Sequence, residues 1–380
     1  MESKDLRHQA GNYSQTKALQ HLTAKAVAAG DNVPFPVHLH IVPCDLCSHS
    51  CSFCSYRWEG NPSNEKFYTI NSDGSKNNNP NRKWPNGKLV EVVADAASHG
   101  TKAIQFTGGG EPTLHPELND AMWACDQRDV DFALVTHGGH LHESDAMEIL
   151  MHSKWVRISV DAGNVVDYCR IRSIKERFWW QMWKNAQDLC RMKMDSGSDV
   201  VIGMGFVVTK ENYRGVFEFA EKARKAGVDN VRISAVFQPD GEGYFDDFID
   251  EARDLCRRCE SLATKDFEVY NSFGNRVDDL SVGNPDYETC YYQMHTSYLG
   301  GDQNAYRCCQ TSYNEIGLLG SFAGRKLSDL WFSDEVQRSL KEFQAPSCAR
   351  CMFNVQNNVI REAVEEGYEV QEKTAHGNFV

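Results

Sequence analysis

The sequence predicts an α/β fold: a partial, open (β/α)6 barrel over residues 37–275, then a small cysteine-bearing domain over 276–355. Three observations predict it. Strand-like and helix-like segments alternate from residue 37 to residue 234 with short turns between them. Three cysteines crowd the loop directly after the first strand. Past residue 275 the alternation stops and spaced cysteines return. Strand–helix alternation of this kind gives parallel strands joined by right-handed crossovers.

Residues 1–36 read as a helical leader, since positions 14–29 are rich in helix formers. Val37-His38-Leu39-His40-Ile41-Val42 alternates and is β-branched, the mark of a strand. Cys47, Cys51 and Cys54 follow at its carboxyl end, where (β/α) barrels carry their active sites. Residues 58–87 have loop composition: 71–87 is almost wholly Asn, Pro, Gly, Ser and Lys around Trp84. A segment of that length is either a substrate lid or a surface insertion. Helices are then expected over 89–98, 118–125, 145–152, 178–193 and 213–226. Strands are expected over 102–107, 131–135, 155–160, 200–208 and 231–234. With the first, that makes six strands, too few for a closed eight-stranded barrel. Trp179, Trp180 and Trp183 on one helix read as packing residues. Cys256 and Cys259, on an outer helix, read as unliganded thiols. Residues 356–380 are left as a tail.

Composition narrows the function. A hydrophobic content of 41% in 380 residues supports a full core. No apolar run approaches the ~20 residues of a membrane span, and the first 29 residues show no apolar signal core. A cytoplasmic protein without membrane partners is expected. The net charge of −13 excludes a nucleic-acid scaffold held by a broad basic surface, though not a local basic groove. Fourteen cysteines in such a chain read as metal ligands before disulfides.

The cysteine triplet carries the chemistry. Cys47-x3-Cys51-x2-Cys54 would place its thiols on one face of a helix. Ser48, Ser50 and Ser52 are poor helix-interior residues, and a helix would spread the outer sulfurs over about 10 Å. A loop lets them converge. Thiolates are the usual ligands of iron–sulfur clusters, four to a cube, so three leave one iron open to a substrate or cofactor. Cys44-x2-Cys47 as half of a zinc ribbon is the rival, but Cys51 and Cys54 overlap it at the wrong spacing.

With Phe53 as the aromatic before the last cysteine, Cys47-x3-Cys51-x2-Cys54 resembles the signature of the radical S-adenosylmethionine superfamily. The resemblance implies an open six-stranded barrel and a [4Fe-4S] cluster on Cys47, Cys51 and Cys54. It also implies S-adenosylmethionine chelated at the open iron, and a 5′-deoxyadenosyl radical that takes a hydrogen atom from the substrate. Gly108-Gly109-Gly110-Glu111 after the second strand resembles the family's Gly-Gly-Glu motif, which implies that Gly109, Gly110 and Glu111 hold the cofactor's amino group. Thr136-His137-Gly138 stands where the family often has Thr-Asn-Gly, which puts Thr136 at the cofactor and makes His137 a departure. Ser159-Val160-Asp161 resembles Ser-x-Asp, with Ser159 and Asp161 near the ribose or carboxylate. Tyr168-Cys169-Arg170-Ile171-Arg172 resembles Tyr-x-x-Ile-Arg and implies that Arg172 forks onto the cofactor carboxylate, with Arg170 its competitor. Arg232 in the sixth strand is a further candidate, and Cys169 is a candidate hydrogen-atom donor.

In the C-terminal third, Cys290, Cys308 or its neighbour Cys309, Cys348 and Cys351 have the spacing of a small metal-dependent domain. Four thiolates suit zinc and an iron–sulfur cube alike. Asp302-Gln303-Asn304-Ala305-Tyr306-Arg307-Cys308 resembles the hairpin of auxiliary-cluster twitch and SPASM domains, with Gln303 where glycine is usual. Lys326-Leu327-Ser328-Asp329-Leu330-Trp331 is similar to their recurring helix. No cysteine follows Cys351, as in the shorter twitch form. The resemblance implies a second, auxiliary [4Fe-4S] cluster on Cys290, Cys308, Cys348 and Cys351. It implies an external electron donor of flavodoxin or ferredoxin type. The expected substrate is a small polar molecule (sugar, aminocyclitol or nucleotide), which is oxidised, epimerised or rearranged. A ribosomal peptide ranks second and a nucleic-acid base third. A non-catalytic zinc-binding interaction protein is the reading of another class.

Overall fold

The computed structural model describes residues 14, 16–21, 30–57, 66–67, 69–70, 73–77, 82–238, 241–366 and 374–380. Its strands are β1 (His38–Ile41), β2 (Thr69–Ile70), β3 (Lys76–Asn77), β4 (Ala103–Phe106), β5 (Asp131–Thr136) and β6 (Trp155–Ser159). They continue as β7 (Val201–Val208), β8 (Asn230–Ala235), β9 (Glu268–Asn271), β10 (Thr296–Leu299), β11 (Asn304–Tyr306) and β12 (Leu318–Ser321). The helices used below are α1 (Lys88–Ser98), α2 (Leu118–Asp126), α3 (Glu143–His152), α4 (Val165–Arg172), α5 (Arg177–Ser196), α6 (Val216–Ala226), α7 (Ile249–Glu260) and α8 (Phe273–Val282).

Ten strands form one sheet in the order β12-β11-β10-β1-β4-β5-β6-β7-β8-β9. From β10 to β9 every neighbouring pair is parallel. The six strands expected from the sequence are β1 and β4–β8, side by side. Two parallel strands were not anticipated, one on each flank. β9 reads Glu-Val-Tyr-Asn, too short and polar to stand out. β10 is wholly buried but lies inside the cysteine-bearing segment, and α8, the helix that precedes it, did not stand out in the sequence. β10 pairs with β1, and β11 and β12 continue from it antiparallel, so residues 296–321 extend the barrel's own sheet.

Period-two alternation sorts the strands. Leu39, Ile104, Phe106, Phe132, Ile158, Met204 and Ile233 are fully buried with the apolar faces of the surrounding helices. The alternate positions, among them His40, Gln105, Arg157, Asn230 and Arg232, line the lumen instead. α5 shows how the sequence dictates its helix. Trp179, Met182, Trp183, Ala186, Leu189 and Cys190 recur at helical spacing and are buried, and Gly197 at φ 67° ends the run. Trp179 and Trp183 pack edge to face at 5.5 Å, whereas Trp180 is 59% exposed.

Of the expected leader, Lys17–Gln20 form a 3-10 turn, and most of 1–29 lies outside the described residues. Much of 58–81 lies outside them too. The described end of that insertion is anchored: buried Trp84 donates from Nε1 to Gly300 O at 2.8 Å. Among the described residues no helix is long and apolar enough to cross a membrane.

Candidate functional site

The loop after β1 is not helical, and Cys47, Cys51 and Cys54 all line one cavity of about 450 Å3 at the carboxyl ends of the strands. Phe53, Gly109, Gly110, Glu111, Thr136, Ser159, Asp161 and Arg172 line the same cavity. The loop is held from two sides. Ser50 N and Ser52 N donate to Arg172 O and Ile171 O at 3.0 and 2.8 Å, which hangs the loop on the end of α4. Glu111 N donates to Leu46 O at 2.8 Å. The glycines expected to approach a ligand approach this loop. A Cβ on Gly110 would lie 2.4 Å from Leu46 O and 2.5 Å from Cys44 O, and one on Gly109 would lie 2.8 Å from the Phe67 ring.

Burial pushes the Cys47 thiol up to about 11 and the Cys51 thiol up to about 12, with Arg172 opposing at Cys51. The thiolates therefore need a positive charge of their own, which a metal cluster brings. Among the described residues no three His, Cys, Asp or Glu side chains converge on a single ion-sized point. Cys44 does not line the cavity. It is fully buried and its thiol points at Glu111 O, 3.3 Å away, so it packs rather than forming half of a zinc ribbon.

Glu111 is held at the junction of β4 and β5. Its Oε1 accepts from Thr136 Oγ1, Thr113 Oγ1 and Thr113 N at 2.6, 2.7 and 3.2 Å, and its Oε2 from His137 N at 2.9 Å. Burial raises this carboxyl, but His137 and these donors outweigh burial and leave it below its ordinary value. Arg172 was expected to fork onto the cofactor. In the structure it lines the cavity, with Nη2 on Asp161 and Ser159 O, Nε on Val160 O, and Nη1 on His49 Nδ1. Asp161 also accepts from Val207 N at 2.7 Å. Arg172 thus ties the cluster loop to the ends of β6 and β7. Arg170 points elsewhere, to Asp167 and Glu211 O. Cys169 is among the lining residues of neither this cavity nor the lumen below it. Cys256 and Cys259 are buried in α7, as packed thiols should be.

Sequence reasoning missed a histidine group. His49 and His137 stack at 3.9 Å, and Ser48 Oγ lies 3.1 Å from His137 Nε2 and 3.0 Å from His140 Nε2. Gly139 N donates to His137 Nδ1, so Nε2 carries that ring's proton. His49 Nδ1 accepts from Arg172, which leaves a buried Nε2–H with no partner. It missed Asp45 as well. That fully buried carboxylate accepts from Arg82 Nε at 2.7 Å and from Tyr313 OH, joining the cluster loop to the segment after β11. The signal for both lay in the loop itself, where Asp45, Ser48 and His49 interleave the cysteines.

Burial, and then Cys351, Cys308 and Cys348, push the Cys290 thiol far up, so these four sit within electrostatic reach of one another. Cys309 turns to the lumen. Gln303 adopts φ 60°, taking the left-handed turn position where glycine is usual, and Tyr306 OH closes the hairpin onto Asp302 at 2.6 Å.

The profile of the Radical SAM superfamily matches residues 41–213. An S-adenosylmethionine-dependent nucleotide dehydratase of Flammeovirga pacifica is 24% identical over 138 residues, 36% of this chain and 42% of that protein. A tungsten-containing aldehyde ferredoxin oxidoreductase cofactor-modifying protein of Pyrococcus furiosus is 24% identical over 289 residues, 69% of this chain and 77% of that one. Among solved structures, Streptococcus suis SuiB bound to S-adenosylmethionine shares the fold at a TM-score of 0.58 and 15% identity, over 81% of this chain and 68% of that chain. So does anSMEcpe with bound AdoMet, at 0.56 and 14%, over 87% and 97%. Residues 41–213 of this chain are thus a Radical SAM superfamily domain, and the strand-end loop that brings three cysteines to one cavity lies within it.

Proposed function

We propose that this protein uses S-adenosylmethionine and a [4Fe-4S] cluster to take a hydrogen atom from a small polar substrate held in the barrel lumen. The observation that carries this reading is the cavity with Cys47, Cys51 and Cys54 on its wall and no fourth cysteine among its described lining residues. Three thiolates leave one cluster iron for the cofactor. The unpartnered His49 Nε2–H beside them suits a polar guest. S-adenosylmethionine bound at that iron supplies, on one-electron reduction, the hydrogen-abstracting chemistry of the superfamily. The chain's own residues do the positioning. Arg172 and the end of α4 hold the cluster loop, Gly109 and Gly110 let it lie against β4, and Glu111, Thr136, Ser159 and Asp161 form the opposite wall.

We further assign Cys290, Cys308, Cys348 and Cys351 to a second [4Fe-4S] cluster. Four protein ligands leave it no iron for substrate, so it serves as an electron relay or a structural staple. The electrons come from an external flavodoxin- or ferredoxin-type donor. A lumen cavity of about 400 Å3 suits a metabolite-sized substrate. SuiB has been solved bound to the precursor peptide SuiA, and that shared fold supports peptide modification as the second reading.

The test is iron and cofactor turnover in anaerobically reconstituted protein. Wild type should carry about seven or eight irons and cleave S-adenosylmethionine. Replacing Cys47, Cys51 and Cys54 together with Ala should remove about four irons and all cleavage. Retention of either would refute the assignment.

A further inference from the structure

The cluster cavity and the lumen cavity share Arg157, Arg232 and Arg276. Arg157 stands in the middle of β6 and Arg232 in the middle of β8, on either side of β7. The register sets Gly203 beside Arg157 and Gly205 beside Arg232, so β7 presents no side chain between the two guanidinium groups. Gly203 has little room for a side chain, Gly205 more. A Cβ on Gly203 would lie 2.6 Å from Asn230 Oδ1, and one on Gly205 would sit in ordinary contact with Arg157 Cδ at 3.6 Å. Arg276 reaches the same junction from α8.

The carboxylates around this space are already engaged. Glu111 is taken by Thr113, Thr136 and His137, and Asp161 by Arg172. Asp279 pairs with Arg276 at 3.4 Å. Arg157 has no carboxylate within ion-pair distance among the described residues, and its guanidinium lies 5.7 Å from the Trp155 ring. Burial and then the charge of Arg157 push nearby His40 down to about 4, and the same charge acts on the Asp161 carboxyl, which Arg172 already holds. In a chain of net charge −13, this junction gathers guanidinium groups. A half-buried cation without a counter-charge is costly unless a ligand supplies one.

We infer that the substrate carries an oxyanion, a phosphate or a carboxylate, and that Arg157, with Arg232 and Arg276, seats it where the two cavities meet. The guanidinium fork matches either group. This rests on the small-substrate reading above and narrows it to anionic metabolites. The anion would anchor the substrate directly below the cluster cavity.

Isothermal titration of the reconstituted full chain with inorganic pyrophosphate, inorganic phosphate and malonate tests it. Wild type should bind one anion per chain, and the tightest of the three separates phosphate from carboxylate. Arg157→Gln should weaken that binding about tenfold or more. Arg157→Lys should keep most of it. Arg214→Gln, which removes a surface partner of Glu251, should match wild type. No binding by wild type, or equal binding by Arg157→Gln, overturns the inference. If Arg157→Gln does not fold, phenylglyoxal labelling of wild type reads the same contact. The bound anion should protect Arg157 and Arg232, and unprotected arginines overturn the inference. Failure of wild type to cleave S-adenosylmethionine would strike the proposed function instead and leave the titration standing.

Discussion

Gly110→Ala should loosen the cluster loop without touching a thiol. The added Cβ would lie 2.4 Å from Leu46 O, 2.5 Å from Cys44 O and 2.5 Å from Asp45 C. All three atoms are backbone, so no side chain can swing aside. The loop must move by roughly 1 Å, and overpacking of this kind costs about 1–3 kcal/mol. The movement also stretches the bond from Glu111 N to Leu46 O, 2.8 Å long, whose loss adds about 1 kcal/mol. The expected destabilisation is therefore about 2–4 kcal/mol. The urea midpoint reads it, and iron content after anaerobic reconstitution reads the displaced thiols. Gly274→Ala is the control: nothing lies within 4 Å of its added Cβ, on helix α8, so it should be neutral or slightly stabilising. If Gly110→Ala matches that control in both urea midpoint and iron content, the glycine does not gate the loop and the reasoning fails.

Other outcomes follow from the same geometry. Arg172 and Asp161 form a buried ion pair, each side chain 4% exposed. Asp161→Leu or Arg172→Met alone should cost about 3–5 kcal/mol, and the double replacement distinctly less than their sum, in a urea double-mutant cycle; simple additivity would deny the pairing. His295 is fully buried, and burial, opposed by the Tyr291 carbonyl, pushes its pKa from 6.5 down to about 4. The unfolded chain then binds the extra proton between those values, so stability should hold above pH 6.5 and fall as pH drops toward 4. That loss is on the order of 2 kcal/mol between pH 7 and pH 5 for this group alone. His295→Gln should flatten part of that slope, and an unchanged slope would contradict it. Replacing Cys348 and Cys351 with Ala should remove about four irons and spare the first cluster; loss of zinc alone would point to the zinc reading.

The parts that the sequence made legible are those with local chemistry. The six central strands showed as β-branched runs between helix-length segments, and the cysteine loop showed by the density of its thiols. What stayed hidden depends on tertiary contact. β10 pairs with β1 across more than 250 residues, and no local pattern in Thr-Ser-Tyr-Leu announces it. Arg172 read as a ligand fork because its sequence neighbours suggest one, but only the fold shows Asp161 and His49 meeting it. Gly109 and Gly110 read as ligand-facing and do line the cavity, but only the fold shows that Gly110 also admits the backbone of the cluster loop and Gly109 the Phe67 ring. Arg157 had a weak signal: Val156-Arg157-Ile158-Ser159 alternates apolar and polar residues, which in a helix-covered parallel strand marks the face turned to the lumen.

Electron paramagnetic resonance of the reduced chain, recorded with and without S-adenosylmethionine, tests the centre of this account most directly. Wild type and the Cys348→Ala/Cys351→Ala variant should show a cluster signal that shifts when the cofactor is added, because one iron is open to it. A signal indifferent to S-adenosylmethionine in the Cys348→Ala/Cys351→Ala variant, or a signal that still responds to the cofactor after replacement of Cys47, Cys51 and Cys54, would contradict it.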